Sequence, residues 1–443
     1  TISGLSSAFD GPSPSPGCIH GLRTMGYGWK VLTLRDRYKI THTSILGEGA
    51  TAVVYKGLDT RDCRNVAVKL YKFSSANVRQ QTHALEDFRK TVSVLKSLGA
   101  GSDETRLAFR RTSTTSYDAD TLKDQIAASM RPSTRSSESV ASSAIANPIL
   151  DAIDTKCCYV RLLDHSRTRG NWAGLDENEG LLFLVMELGE ESLEDRLRHY
   201  CECGKTLSKE ELRELQWTLV CICWGLHAVG FVHMDIKPQN IMRFREDGQD
   251  QWKLIDLDGA VETGTDLRFE ECTFTPEYMP PELAKAWILR HRDPSVIVTM
   301  SRLMDVWSIG MCSLEAIFLQ PILRPWYSEW AKETGGDHKF FSWLANYRTD
   351  PILHGDMRDL IAGMDEDMCS LLEAMLAKDP EQRSSIAECL THRWFQPQRS
   401  ELVGQLKVRR QSMVAQLSGS SGIACSDSTE AIARSKSKLC TVM

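Results

Sequence analysis

The chain has 443 residues, 42% hydrophobic and 25% charged, which is enough apolar material for a large core and predicts two or three structural units. A net charge of −6 and a pI near 6.0 exclude a generic nucleic-acid binder that works through a broad basic face. The fourteen cysteines include Cys157-Cys158, Cys201/Cys203 and Cys221/Cys223, spacings that do not make tetrahedral zinc sites, so they read as reduced thiols.

The chain opens on Thr1 rather than Met, so no signal or lipidation motif is read at that end. Residues 1 to about 36 are rich in Gly, Ser and Pro, as in Gly11-Pro-Ser-Pro-Ser-Pro-Gly17, and predict a flexible leader. From Tyr38 the pattern turns to strand, glycine turn and strand, Ile45-Leu46-Gly47-Glu48-Gly49-Ala50-Thr51-Ala52-Val53-Val54-Tyr55. Two glycines between such runs let backbone amides approach a phosphate. The next strand, Val66-Ala67-Val68-Lys69, closes on a lysine, and a helix over Thr82–Leu98 follows with a stripe of Leu85, Phe88, Val92, Leu95 and Leu98.

Residues 99–156 carry serine, threonine, alanine and scattered charge with little apolar periodicity, and predict a disordered insert. Its Arg110-Arg-Thr-Ser-Thr and Arg131-Pro-Ser-Thr-Arg-Ser-Ser clusters have the form of sites for basophilic kinases. Buried strands are then predicted over Tyr159–His165 and Leu181–Leu188, and helices over Ser192–Tyr200 and Lys209–Val229. The uncharged run Trp217–Val232 is short for a membrane span and predicts a buried helix.

That helix leads into His233-Met234-Asp235-Ile236-Lys237-Pro238-Gln239-Asn240-Ile241-Met242. One tight loop thereby gathers a general base, a cation and a metal ligand, the set that phosphoryl transfer needs. The string resembles the catalytic loop of eukaryotic protein kinases, and similar segments stand in the family's order on both sides. Lys253-Leu-Ile-Asp256-Leu257-Asp258-Gly-Ala260 is similar to the strand that ends in the metal-binding D-F-G motif, and Thr273-Phe-Thr275-Pro-Glu-Tyr-Met-Pro-Pro-Glu282 to the end of the activation loop. Asp305-Val-Trp-Ser-Ile-Gly310 matches the central helix, and Arg383 is the arginine expected to pair with Glu282.

The resemblance implies an α+β, two-lobed fold with a small β-rich N-lobe and a larger helical C-lobe. It implies a kinase domain over residues 37–396, interrupted by the insert, and a flexible tail over 397–443. The activity implied is transfer of the ATP γ-phosphate to Ser or Thr of protein substrates, with Mg2+. Asp235 is then the catalytic base and Lys237 neutralises the migrating group; Asn240 and Asp256 hold the metal. Leu46, Gly47, Glu48, Gly49, Val54, Ala67, Lys69, Glu187, Leu188 and Met242 line the nucleotide site, Lys69 on the α/β-phosphates, and Met186 guards the back of the adenine pocket. The Lys237-Pro238 pair and Thr275-Pro-Glu277 look like the serine/threonine type.

Four positions depart from the family. Ala52 replaces the third glycine of the loop. Thr91 stands where a glutamate would pair with Lys69, with Glu86 and Asp87 as the candidate substitutes. Asp258 replaces the glycine of D-F-G, giving up free φ/ψ and restricting flips of that loop. Met234 replaces the arginine that reads an activation-loop phosphate, while Glu271 stands where that phosphate would often sit; little dependence on phosphorylation there is expected. Thr91 and Asp258 also motivate the alternative of an ATP-binding pseudokinase scaffold. The last four residues, Cys440-Thr-Val-Met443, fit a farnesylation signal, with Arg434-Ser-Lys-Ser-Lys438, or palmitoylation of Cys425, as the second membrane signal and Ser412 as a phosphorylation switch. The expected location is cytoplasmic, with peripheral membrane attachment through Cys440, and no nucleic-acid partner.

Overall fold

The computed structural model describes residues 30–72, 78–100, 153–246, 248–330, 332, 335–348, 351–405 and 408. Most of the expected insert and the tail signals at Ser412, Cys425 and Cys440 lie outside the described residues. The chain divides into two compact units, Thr1–Lys96 with Val160–Leu188 and Ser97–Tyr159 with Gly189–Met443.

The first unit is built on a six-stranded antiparallel sheet in the order β1-β2-β3-β4-β6-β5, with β1 Val31–Leu34, β2 Tyr38–Glu48, β3 Ala52–Asp59, β4 Arg64–Tyr71, β5 Leu162–His165 and β6 Phe183–Glu187. Period-two alternation puts Tyr38, Ile40, Val53, Tyr55, Val66, Val68, Leu70, Phe183 and Val185 into one core. Helix α1, Val78–Ala100, buries Phe88, Val92, Leu95 and Leu98, and the Phe88 ring meets Tyr71 of β4 edge-on at 5.4 Å. The leader is shorter than expected: β1 pairs with β2 from Val31, and Leu34 is fully buried, so burial fixes the chain well before residue 36.

The second unit opens with β7 Glu191–Ser192, α2 Leu193–Glu202 and α3 Lys209–Ala228. Ser192 and Ser208 cap these helices in reciprocal capping boxes with Asp195 and Glu211. Next come β8 Phe231–Val232, β9 Ile241–Glu246, β10 Gln249–Leu254, β11 Val261–Glu262 and β12 Asp266–Arg268, then α4 Pro281–Arg290, β13 Ile297–Thr299 and α5 Arg302–Phe318. Helices α6 Leu323–Trp330, α7 Gly336–Ala345, α8 Gly355–Met364, α9 Glu366–Met375 and α10 Ile386–Thr391 complete it. The run Trp217–Val229 lies in and just after α3, and nearly all of it is buried by α5 and its neighbours. Among the described residues no single helix is long and apolar enough to cross a membrane.

The Arg383–Glu282 pair forms as expected, bidentate at 2.8 and 3.0 Å with the arginine side chain fully buried, and Arg383 also donates to the Leu303 carbonyl at 2.7 Å. Removing either partner would leave a buried charge, at a cost of about 3–5 kcal/mol. Two expected boundaries move. Ile153 is already buried and a 3-10 turn starts at Lys156, so the fold resumes before the expected end of the insert. Residues 396–405 are helical with Leu402 buried, so the ordered domain extends past 396.

Candidate active site

The loop after β8 is aimed by one buried carboxylate. Asp305, in the first turn of α5, accepts from the His233 amide at 2.9 Å, the Met234 amide at 3.0 Å and His227 Nε2 at 2.9 Å. These bonds hold Met234 at φ +73°, a left-handed conformation that a non-glycine residue adopts only when its surroundings over-determine it. The reversal it creates turns Asp235 out of the core.

Asp235, Lys237 and Thr275 then close a triangle. Lys237 Nζ donates to Asp235 Oδ2 at 2.6 Å and to Thr275 Oγ1 at 2.8 Å, while Thr275 Oγ1 donates to Asp235 Oδ1 at 2.7 Å. The carboxylate and ammonium are thus held in one place at the end of the activation segment, and both remain partly exposed. A 3-10 turn, Pro238–Asn240, follows, and Asn240 Nδ2 donates to the Asp235 carbonyl at 2.9 Å. That bond ties the Asn240 side chain to the backbone of the residue that carries the candidate base.

Asp256 and the residue before it are each tied to the same loop. His233 Nε2 bonds the Asp256 backbone carbonyl, and the Ile255 amide donates to the Asn240 carbonyl at 3.0 Å. Leu257 is buried, and the Asp258 amide donates to Asp256 Oδ1 at 3.2 Å. The backbone at Asp258 does not enter the positive-φ region, so this conformation makes no use of a glycine there. Asn240 and Asp256 together offer an amide and a carboxylate oxygen, the hard donor pair that suits Mg2+ held largely by nucleotide phosphates and water. Among the described residues no group of three or more His, Cys, Asp or Glu side chains forms a separate metal site.

The nucleotide residues named from the sequence fall mainly in the first unit. Lys69 lies on β4, opposite Val54 of β3 and Leu184 of β6, and is largely buried. Ala67 pairs with Met186, which is also buried. Leu46 is half-exposed, and a Cβ added at Gly47 would meet nothing within 4 Å, so the turn is open for backbone approach. Its far side is fastened: the Gly49 amide donates to the Ala52 carbonyl at 2.9 Å, and Lys72 Nζ bonds Glu48 at 2.7 Å and the Gly49 carbonyl at 2.8 Å. Glu187 ends β6, its carboxylate accepting the Arg161 amide at 2.8 Å, which leaves side-chain recognition to others, and Leu188 follows. Met242, in the second unit, packs on Gly189 so closely that a Cβ there would come within 2.9 Å of its Cε.

On α1, Thr91 is buried and its hydroxyl donates to the Asp87 carbonyl at 3.0 Å, while Glu86 and Asp87 are exposed and Asp87 pairs with Lys90 at 3.4 Å. In the activation segment Glu271 is held by Arg268, whose amide and guanidinium donate to it at 2.9 and 3.1 Å.

Three side chains in and around this site were not singled out for roles from the sequence: the Thr275 hydroxyl, the Asp305 carboxylate, and the buried Glu315 on α5. Glu315 accepts from the Tyr278 hydroxyl at 2.5 Å, and burial, with Glu194 and Glu277 adding to it, pushes its carboxyl up to about 7. The signal available was a hydroxyl directly before Pro276-Glu277 and an acidic residue in the first turn of an otherwise apolar helix.

A family model described as the protein kinase domain matches residues 161–395, just over half of the chain. The chain belongs to the protein kinase family. Its sheet-based first unit and helical second unit are the two lobes of that fold. It is similar to the mouse inhibitor of nuclear factor kappa-B kinase subunit epsilon, 34% identical over 29% of this chain and 20% of the relative. Serine/threonine-protein kinase 17A of Oryctolagus cuniculus is 29% identical over 38% of this chain and 36% of its own length. Cyclin-dependent kinase 1 of Encephalitozoon cuniculi is 27% identical over 49% and 73%. The chain thus spans well under half of the first two relatives. Protein kinases of this family use ATP with a divalent metal and act on proteins.

Proposed function

We propose that the protein is an active serine/threonine kinase that transfers the γ-phosphate of ATP to Ser or Thr hydroxyls of protein substrates. The observation that carries this reading is the Asp235–Lys237–Thr275 triangle, which holds a base beside a cation with the geometry already formed. Asp235 orients the attacking hydroxyl and takes its proton, and Lys237 neutralises charge on the migrating group. Asn240 and Asp256 would hold Mg2+, which when bound neutralises phosphate charge; Lys69 steadies the α/β-phosphates and the turn at Leu46–Gly49 covers them. Catalysis is then positioning and charge neutralisation, and serine and threonine peptides are the substrates to test against tyrosine peptides.

A scaffold that binds ATP without transferring it is the second reading, favoured by the buried, uncharged Thr91 at the position of the glutamate partner of Lys69. The retained set of Lys69, Asp235, Lys237, Asn240 and Asp256 supports the enzyme over it. Phosphotransfer that disappears in Asp235→Asn separates the two. The location we propose is cytoplasmic with membrane attachment through a lipid on Cys440, supported by the terminal Cys-Thr-Val-Met and the basic residues before it.

A further inference from the structure

The segment from Asp256 to Thr275 joins the metal ligand to the hydroxyl that bridges Asp235 and Lys237, so its middle must be ordered for both ends to be in place. A phosphate read by an arginine at position 234 is not the means, because Met234 stands there, buried. The structure supplies another. The chain between α4 and α5 makes an Asx turn, Asp293 accepting from the Ser295 amide at 2.9 Å, and returns as β13. β13 pairs antiparallel with β12 in the register Asp266↔Thr299, Leu267↔Val298 and Arg268↔Ile297. The ribbon is extended by the Gly264 amide to the Met300 carbonyl at 2.8 Å and the Met300 amide to the Thr265 carbonyl at 2.9 Å, and the Thr299 hydroxyl donates to Asp266 at 2.6 Å. Val298 and Met300 point into the core, which fixes the register, since a one-residue slip would expose both.

The next three residues, Phe269–Glu271, form a 3-10 turn under Arg290, the last residue of α4. The Arg290 guanidinium lies 4.6 Å from the Phe269 ring centroid and 5.5 Å from that of Trp287, and pairs with Glu270 at 3.8 Å. Phe269 in turn packs on Phe274 at 5.2 Å, one residue before Thr275. A cation therefore does hold the activation segment, but it grips an aromatic face and a fixed carboxylate rather than a phosphate.

We propose that Arg290 and the β12–β13 ribbon are positioning elements that order the activation segment without phosphorylation, so that the catalytic triangle is assembled in the unmodified chain. This rests on the kinase reading for its consequence but not for its structural content. The test is hydrogen exchange on the full chain after phosphatase treatment, for wild type, Arg290→Ala and Arg290→Lys, with peptide phosphorylation measured beside it. Wild-type amides over 264–272 should be protected. Arg290→Ala should raise their exchange roughly fivefold or more, the change that accompanies loss of a partly buried cation–π contact. Amides of α3 and the melting temperature should stay near wild type, and Arg290→Lys should give partial rescue. In the activity arm, kcat/KM should be unchanged by phosphatase in wild type and fall in Arg290→Ala. Rapid exchange over 264–272 in dephosphorylated wild type, or equal protection in Arg290→Ala, overturns the proposal. Protection that behaves as expected in a protein without phosphotransfer supports the ordering device and overturns the kinase reading instead.

Discussion

Asp305 receives the backbone amide of Met234 at 3.0 Å while Met234 is held at φ +73°. The two facts are one device: a buried carboxylate in the first turn of α5 holds the backbone reversal that delivers Asp235. Asp305→Asn keeps the size but turns an NH2 toward amide donors, and leaving one buried donor unpaired costs about 1–3 kcal/mol. We expect a melting temperature several degrees lower and a loss of kcat larger than that destabilisation explains, about 10²-fold, because Asp235 is misplaced. Thermal unfolding and single-turnover phosphorylation, compared at a temperature where the variant is folded, decide it.

Thr275 tests the triangle from its other corner. Thr275→Val removes the hydroxyl that bridges Asp235 and Lys237 while keeping the shape. Peptide phosphorylation should fall about 10–100-fold, mostly in kcat, since the contact positions reacting groups. Thr275→Ser, which keeps the hydroxyl, should stay within a few-fold of wild type. Equal activities in the valine and serine variants would remove Thr275 from the site.

Glu315 makes stability depend on pH. Burial raises its folded pKa to about 7, against about 4.5 for an unperturbed glutamate. Between those values the folded state holds a proton that the unfolded state has lost. Stability therefore falls as pH rises from about 4.5 to about 7, and the loss is complete above 7. Glu315→Gln stays neutral and still accepts from Tyr278. We expect it to be roughly 2–4 kcal/mol more stable than wild type at pH 8 and nearly equal to it at pH 4.5 in denaturant titrations. An unchanged difference across that range would contradict the raised carboxyl.

The sequence reveals the site wherever local pattern and chemistry coincide. Lys69 on its strand, the loop from His233 to Met242 and the Glu282–Arg383 pair are found where residue types and order place them, although the strand runs on past Lys69 to Tyr71. Ser192 and Ser208 mark their helix starts because a hydroxyl three residues before an acid satisfies a first-turn amide. The β12–β13 ribbon is not legible: two three-residue strands are too short for an alternation to register, and their pairing joins residues about thirty apart. Asp305 hides for a related reason. An acid in the first turn of an apolar helix looks like an ordinary dipole partner, and only the fold brings His233 and Met234 against it.

The C-terminal signal is tested apart from the fold. A reporter carrying residues 397–443 should reach membranes in eukaryotic cells, and Cys440→Ser should leave it diffuse. One prenyl chain binds marginally, so neutralising Arg434, Lys436 and Lys438 should also weaken attachment. An unmodified C-terminal peptide by mass spectrometry would rule out the anchor.

Phosphotransfer by the Asp235 loop can be measured outright. Purified wild type, Asp235→Asn and Lys69→Met are supplied with Mg-ATP and generic serine/threonine peptides, and phosphopeptide is quantified. Wild type should transfer phosphate, with a loss of about 10²–10⁴-fold in Asp235→Asn and a comparable loss in Lys69→Met, and melting temperatures near wild type for both. Equal phosphopeptide from wild type and Asp235→Asn, or none from a folded wild type that binds ATP, would contradict the kinase reading.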